Sequence, residues 1–295
     1  MSIKHSIKTW GKEIGFTQIG ITDTNSLDAR FFADWLKHKY HGEMRYLEKN
    51  CAQRLHPQKI MPDAQSIICC SINYLPLPHQ TPTLIAKYAL GYDYHQIVRE
   101  KLKQLVKKIQ VQIGNFNYRI FCDSAPILEK TLAQKAGLGW IGKNTLLINP
   151  KLGSYVVLGF IFTDLGLPLD KPIKPRCGNC QRCLQACPNH ALIAPYKLDA
   201  RHCLSYLTTE YKHNFTQKLH GKIFGCDTCQ QACPWNRFSK ITKEQKFMRL
   251  SQWRDSTLED LKQWDEKTFN EKTQTTALER LNYQQWRRNL SKSNE

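Results

Sequence analysis

The chain has 295 residues, 41% hydrophobic and 23% charged, enough to bury one large core and carry a smaller unit beside it. No run approaches the roughly 18 apolar residues of a membrane span. Residues 1–20, with Lys4, Lys8, Lys12 and Glu13, lack the apolar stretch of an export signal, and cysteine-rich usage without export points to the cytoplasm. The formal charge of +18 points to a polyanionic partner such as nucleic acid, with a generally basic, soluble surface as the plainer alternative.

Ile3, Ile7, Trp10 and Ile14 recur at helical spacing behind Ser2 and predict a capped helix over 3–14. Phe31, Phe32, Trp35 and Leu36 make a second apolar helical face. Residues 66–74 read as a buried strand bounded by Pro62 and Pro76. A long helix follows over 95–113, with Val98, Leu102, Leu105, Val106 and Ile109 on its inner face. Residues 118–122 read as a strand, 127–137 as a helix ending at Gly137, and 145–149 and 154–163 as two more strands. That mixture argues for an α/β or α+β domain. The Pro- and Lys-rich stretch 166–176 reads as a linker into a module reaching residue 240. The polar remainder, 241–295, reads as a short helical tail with Trp253, Leu258, Leu261, Trp264 and Phe269 as scattered anchors.

Cys177, Cys180, Cys183 and Cys187, followed by Pro188, have the C-x2-C-x2-C-x3-C-P spacing of bacterial two-cluster ferredoxins, whose fourth cysteine serves the opposite cluster. Cys226, Cys229 and Cys233, followed by Pro234, repeat the run with Ile223 in the opening place. Cys203 supplies the eighth thiolate that two [4Fe–4S] clusters need. The expected wiring is Cys177, Cys180, Cys183 and the crossing Cys233 on one cluster, and Cys203, Cys226, Cys229 and the crossing Cys187 on the other. A zinc ribbon built from the two C-x-x-C pairs is the alternative, and it leaves four cysteines and both Cys-Pro junctions without a role. Each cluster with its thiolates carries about −2, which leaves the loaded protein at ~+14.

Clusters only move electrons, so the reaction is expected in the larger domain. Asp123-Ser124-Ala125-Pro126 leaves a strand and enters a helix carrying Glu129. An acid there can face a ligand crevice; alternatively Asp123 or Ser124 caps the helix, with Pro126 in its first turn. Gly137, Gly139 and Gly142 imply tight backbone, for a turn or for close approach to a flat cofactor. Their spacing fits neither a Walker loop nor a dinucleotide fingerprint. Asp93-Tyr94-His95 looks like the opening of a D-x-H-x-x-G cobalamin motif, but Val98 fills the glycine place, so His95 reads as a surface or core histidine.

Several long segments, in order over residues 10–240, together resemble the epoxyqueuosine reductase family. They are Arg54-Leu55-His56-Pro57, Tyr88 with Gly91-Tyr92-Asp93-Tyr94-His95, Asp123-Ser124-Ala125-Pro126, the run from Gly137 to Thr145, Ser205-Tyr206-Leu207-Thr208, Phe224-Gly225-Cys226-Asp227 and Cys233-Pro234-Trp235-Asn236. The family completes queuosine at the wobble position of certain tRNAs. The resemblance implies an α+β fold: a nitroreductase-like cobalamin-binding domain (1–165), a bacterial-type two-[4Fe–4S] ferredoxin-like domain (166–240) and a short helical tail (241–295). It also implies base-off cobalamin reduced by a nearby cluster, with Asp123 as proton donor. Arg54, Lys143, Asn144, Thr145, Ser205, Glu210, Asp227 and Thr228 fall in segments expected around the corrin. His56 stands where the family commonly has aspartate. Some members carry a C-terminal helical-repeat extension for which this chain is too short, so its grip on tRNA is expected from the catalytic body and tail.

The implied reaction removes the epoxide oxygen with two electrons and protons. The clusters bring cobalt to the nucleophilic Co(I) state, cobalt attacks an epoxide carbon, and Asp123 protonates the departing oxygen. An external low-potential donor is required, no membrane is involved, and nothing demands more than a monomer. The rival is a reductive dehalogenase, which shares cobalamin and ferredoxin-like parts but is usually exported. A plain electron carrier or RNA-binding module would not need the Asp123 and glycine segments.

Overall fold

The computed structural model describes residues 2–28, 30–78, 84–254 and 256–293. At its centre is an antiparallel sheet of four strands in the order Gln18–Asp23, Ser66–Asn73, Val156–Thr163, Tyr118–Phe121. Antiparallel pairing throughout, with helices laid on both faces, makes the fold α+β. All of Ser66–Asn73 is buried. Ile68, Cys70 and Ile72 enter the core beneath the helices Ile3–Ile14 and Tyr94–Ile113, while Ile67 and Cys69 enter the opposite core with Leu132 and Ala133 of helix Glu129–Lys135. Coverage of both faces is why this strand carries apolar residues at consecutive positions, Ile67 to Cys70, rather than alternating.

Strand Gln18–Asp23 carries Gly20, which hides it from a propensity reading. A Cβ at Gly20 would stand 2.0 Å from the Ala136 carbonyl oxygen, so glycine lets the chain near 136 press onto the sheet. The first helix is capped by Ser2 and closed by Gly15 at φ +105°. Helix Arg30–Lys37 forms, but none of its residues is buried. The helix expected over 127–137 shortens to Glu129–Lys135, and the strand near 145–149 contracts to Leu147–Ile148, paired with Trp140–Ile141.

The cysteine-bearing segment is built from short helices, Arg182–Gln185, Leu204–Thr209 and Thr228–Gln231, and a small ladder of Leu192–Ala194 with Lys197–Leu198. It is fastened to the body at several points. Trp140 meets Trp235 edge-on with centroids 5.0 Å apart, beside Ile148 and Cys233. Asn236 Oδ1 accepts the Ser154 N–H at 2.6 Å, while its Nδ2 donates to the Gln230 carbonyl. A parallel bridge joins Ile85 to Phe224.

The residues after 240 are more than scattered anchors. Trp253, Leu261, Phe269, Leu278, Trp286 and Leu290 form a core of their own, completed by Ile85 and Leu90 from the body and by Ile223 and Phe224 from the cysteine segment. Trp264 stacks on Trp286 with the rings 21° from parallel. The described residues include no helix long and apolar enough to cross a membrane.

Candidate active site and cysteine centres

Asp123 sits just beyond strand Tyr118–Phe121 with φ +60°, a left-handed conformation that aspartate tolerates better than most residues. Neither Asp123 nor Ser124 caps the next helix: Leu128 holds the N-cap place, and no side chain bonds there. The Asp123 side chain, 53% exposed, turns instead to the start of the long helix. Its Oδ2 accepts a hydrogen bond from the Tyr94 hydroxyl (3.0 Å) and lies 3.1 Å from His95 Nε2. His95 Nδ1 lies 2.7 Å from Asp93 Oδ1, so the imidazole bridges two carboxylates. Tyr94 stacks on that ring with centroids 4.0 Å apart. On the other side, the Asp123 N–H donates to Glu129 Oε1 at 2.6 Å.

The electrostatics follow from this geometry. Burial disfavours a charged His95, but hydrogen bonds to Asp123 and Asp93 outweigh it and raise the imidazole to about 9. The hydrogen bond from His95 is also the main cause holding Asp123 below the ordinary carboxylate range. Glu129 moves the other way: burial, then the Asp123 charge, push it up to about 8. At neutral pH the cluster therefore holds an ionised Asp123, a charged His95 and a protonated Glu129. A proton shared across the His95–Asp123 contact can be passed outward through the half-exposed carboxylate.

Arg280, from the C-terminal core, forms an ion pair with Glu210, and its charge acts on Asp123, Tyr88 and Tyr94. Tyr46 has Glu210, Arg280, Asp123 and Arg54 as its charged neighbours. Arg54 is only 8% exposed; its Nη2 donates to the Tyr46 carbonyl at 3.4 Å, and its buried Nε has no partner. An unpartnered guanidinium N–H at that depth awaits an acceptor. That fits an acceptor-rich ligand such as the amide-fringed corrin of cobalamin.

Of the residues singled out around the corrin, Arg54 and Glu210 share the Asp123 neighbourhood. The glycine-flanked turn instead reaches the cysteine loops: Lys143 Nζ donates to the Gly178 (2.6 Å) and Cys180 (3.0 Å) carbonyls, and Asn144 Nδ2 to that of Cys229 (3.4 Å). Thr145 is left-handed at φ +64°, and its carbonyl accepts from Lys130 Nζ. Asp227, 4% exposed, accepts the Lys87 N–H at 2.8 Å, and burial outweighs that lysine to raise its carboxyl. Thr228 Oγ1 lies 3.3 Å from Cys226 Sγ. Ser205 is half-buried, and its carbonyl accepts the Thr209 hydroxyl at 2.7 Å.

All twelve cysteines are free thiols. Cys177, Cys180, Cys183 and Cys233 line one cavity of about 150 Å³, walled by Lys143 and Trp235. The thiols of Cys203, Cys226, Cys187 and Cys183 all act on Cys229, and burial pushes Cys203 up to about 11. Cys187 Sγ accepts the Ala191 N–H at 3.2 Å. The sulfurs of Cys177, Cys180, Cys183 and Cys233 line a volume, which suits a cube of iron and sulfide.

Two parts of this site have no clear sequence signal. Arg280 lies in a polar stretch without a motif, and Val98 in the glycine place disguises the role of His95.

The family profile described as epoxyqueuosine reductase QueG, DUF1730, matches residues 54–124, and a 4Fe-4S double cluster binding domain matches 176–236. The epoxyqueuosine reductase of Pseudomonas aeruginosa is 42% identical, over 98% of this chain and 84% of its own length. That of Escherichia coli is 39% identical, over 98% and 80%. The chain belongs to the epoxyqueuosine reductase family. Family membership and the double-cluster match assign it two [4Fe–4S] clusters and cobalamin.

An epoxyqueuosine reductase solved with an epoxyqueuosine-modified tRNA stem loop superposes with a TM-score of 0.90 at 26% identity, over 99% of this chain and 80% of that one. The Bacillus subtilis enzyme, captured with its aspartate-bearing catalytic loop swung out of the active site, gives 0.89 at 26%, with the same coverage. A catabolic reductive dehalogenase shares the fold alone, at a TM-score of 0.50 and 17% identity over 81% of this chain and 32% of that one.

Proposed function

We infer that this chain reduces epoxyqueuosine to queuosine in tRNA by removing the epoxide oxygen. The observation that carries the chemistry is the half-exposed Asp123, backed by a charged His95 and grouped with Arg54, Glu210 and Arg280 as the charges acting on Tyr46.

Cobalamin, when bound, supplies the strongly reducing, nucleophilic chemistry that opens a carbon–oxygen bond. Arg54, Ser205, Glu210, Asp227, Thr228 and the turn of Lys143, Asn144 and Thr145 would hold it, Arg54 Nε serving one of its acceptors. Cys177, Cys180, Cys183 and Cys233 would hold one cluster, and Cys187, Cys203, Cys226 and Cys229 the other. Their thiols shed protons as iron binds. Asp123 delivers a proton to the departing oxygen. Because Asp123 rests ionised, that proton comes from His95 Nε2, while Asp93 orients the imidazole and favours its charged form. The Tyr94 hydroxyl fixes the carboxylate for the transfer.

We read residues 1–165 as the catalytic domain, 166–240 as the electron-transfer domain and 241–295 as the tail. The basic surface serves tRNA. An external low-potential donor, a cytoplasmic setting and a monomeric state complete the proposal. The test is turnover of the cobalamin- and iron-loaded protein on an epoxyqueuosine-bearing stem loop, with a halogenated aromatic as control. Queuosine formation with the control untouched is the expected result; dehalogenation without queuosine overturns it. Asp123→Asn should lower kcat by about 10²–10⁴-fold. Wild-type turnover by that variant, with both cofactors bound, would remove Asp123 from the mechanism.

A further inference from the structure

Asp123 occupies a left-handed conformation in a segment, 122–128, without helix or strand. The hydrogen bonds on its carboxylate orient the side chain but leave the backbone turn unexplained. The contact on that backbone comes from Glu129, whose Oε1 receives the Asp123 N–H at 2.6 Å from six residues further on. The loop is otherwise closed by short turns, Ser124 N–H to the Cys122 carbonyl and Ile127 N–H to the Ala125 carbonyl, and by Arg99 donating to Ser124 Oγ. All three act beside Asp123 rather than on it.

We propose that Glu129 is the positioning residue that latches the catalytic loop shut, its carboxyl holding the Asp123 amide so that the Asp123 side chain faces the substrate. The proposal rests on Asp123 being the proton donor, but the latch itself is a backbone contact and can be tested without turnover. Asp123, His95, Lys130 and the thiols of Cys69 and Cys122 are the titratable groups facing Glu129. Burial and the Asp123 charge keep its carboxyl protonated at neutral pH, which limits repulsion between two acids held this close. A latch implies an unlatched state, and a relative has been captured with its aspartate-bearing loop swung out.

The experiment compares Glu129→Met, of similar length but without a strong acceptor, with Glu129→Gln, whose amide oxygen still accepts. Both are made as cofactor-loaded protein and compared with wild type and Asp123→Asn. Amide hydrogen exchange over 122–127 is measured without substrate, and kcat and KM on the stem loop across pH. Glu129→Met should lose protection across that segment and drop kcat by about 10–10²-fold at little cost in KM. Glu129→Gln should keep protection and stay within about threefold of wild type, while a kcat ionisation near 8 disappears. If Glu129→Met fails to fold, Glu129→Ala makes the same comparison. Unchanged exchange in the acceptor-free variant overturns the latch, as does Glu129→Gln losing protection equally. Full activity of Asp123→Asn alongside lost protection in Glu129→Met would overturn the proton-donor reading and leave the latch standing.

Discussion

His95 touches Asp123 through Nε2 and Asp93 through Nδ1, so replacing it removes the adjacent proton and the charge that keeps Asp123 ionised. His95→Gln should lower kcat by about 10²-fold, with stem-loop binding nearly unchanged. The same contacts make stability depend on pH. The folded-state value of His95, about 9, stands above its ordinary 6.5. Its contribution is therefore complete below about pH 6.5 and is lost as pH rises through about 9. The gap in thermal midpoint between wild type and His95→Gln should shrink over that interval. A gap that stays constant would mean that the bridged imidazole adds nothing to stability.

Among the elements, the sheet edge at Gly20 has little room against the backbone near 136. Gly20→Ala would drive a methyl into the Ala136 backbone carbonyl, which cannot swing aside as a side chain could, and should cost about 1–3 kcal/mol, seen as a lower thermal midpoint. Gly114→Ala meets open space at φ +87° and should cost less. The same strand shows why some elements are legible in sequence. The long helix announces itself through Val98, Leu102, Leu105 and Ile109 on one face, and the central strand through its apolar run. Gln18–Asp23 does not, because close approach demands the residue that weakens a strand pattern. The cysteine runs are legible because a cluster draws most of its ligands from one short loop. The acid site is legible only in part. Asp123, His95, Arg54, Glu210 and Arg280 come from five segments, and only the folded chain makes them neighbours.

Across the whole molecule, the C-terminal core ties the catalytic body to the cysteine segment. Trp286 is fully buried, and its core includes Ile223 and Phe224, three and two residues before Cys226. Trp286→Ala should cost about 3–5 kcal/mol. It should also lower iron retention, although no cysteine changes. Iron titration with thermal unfolding checks both effects; full iron content at a reduced midpoint would show that the tail stabilises only itself. Cys229→Ser should bring the reconstituted protein from about eight irons to about four or fewer.

Cys233 shares its cavity with Cys177, Cys180 and Cys183, while Cys187 acts on Cys203 and Cys229. In the proposed wiring the two cages are laced through each other, each waiting on a sulfur from the far half of the segment. A ribosome that has just made the first run has finished neither. Neither cage is complete before the second run is made, and a chain cut between the runs should emerge without a whole cube.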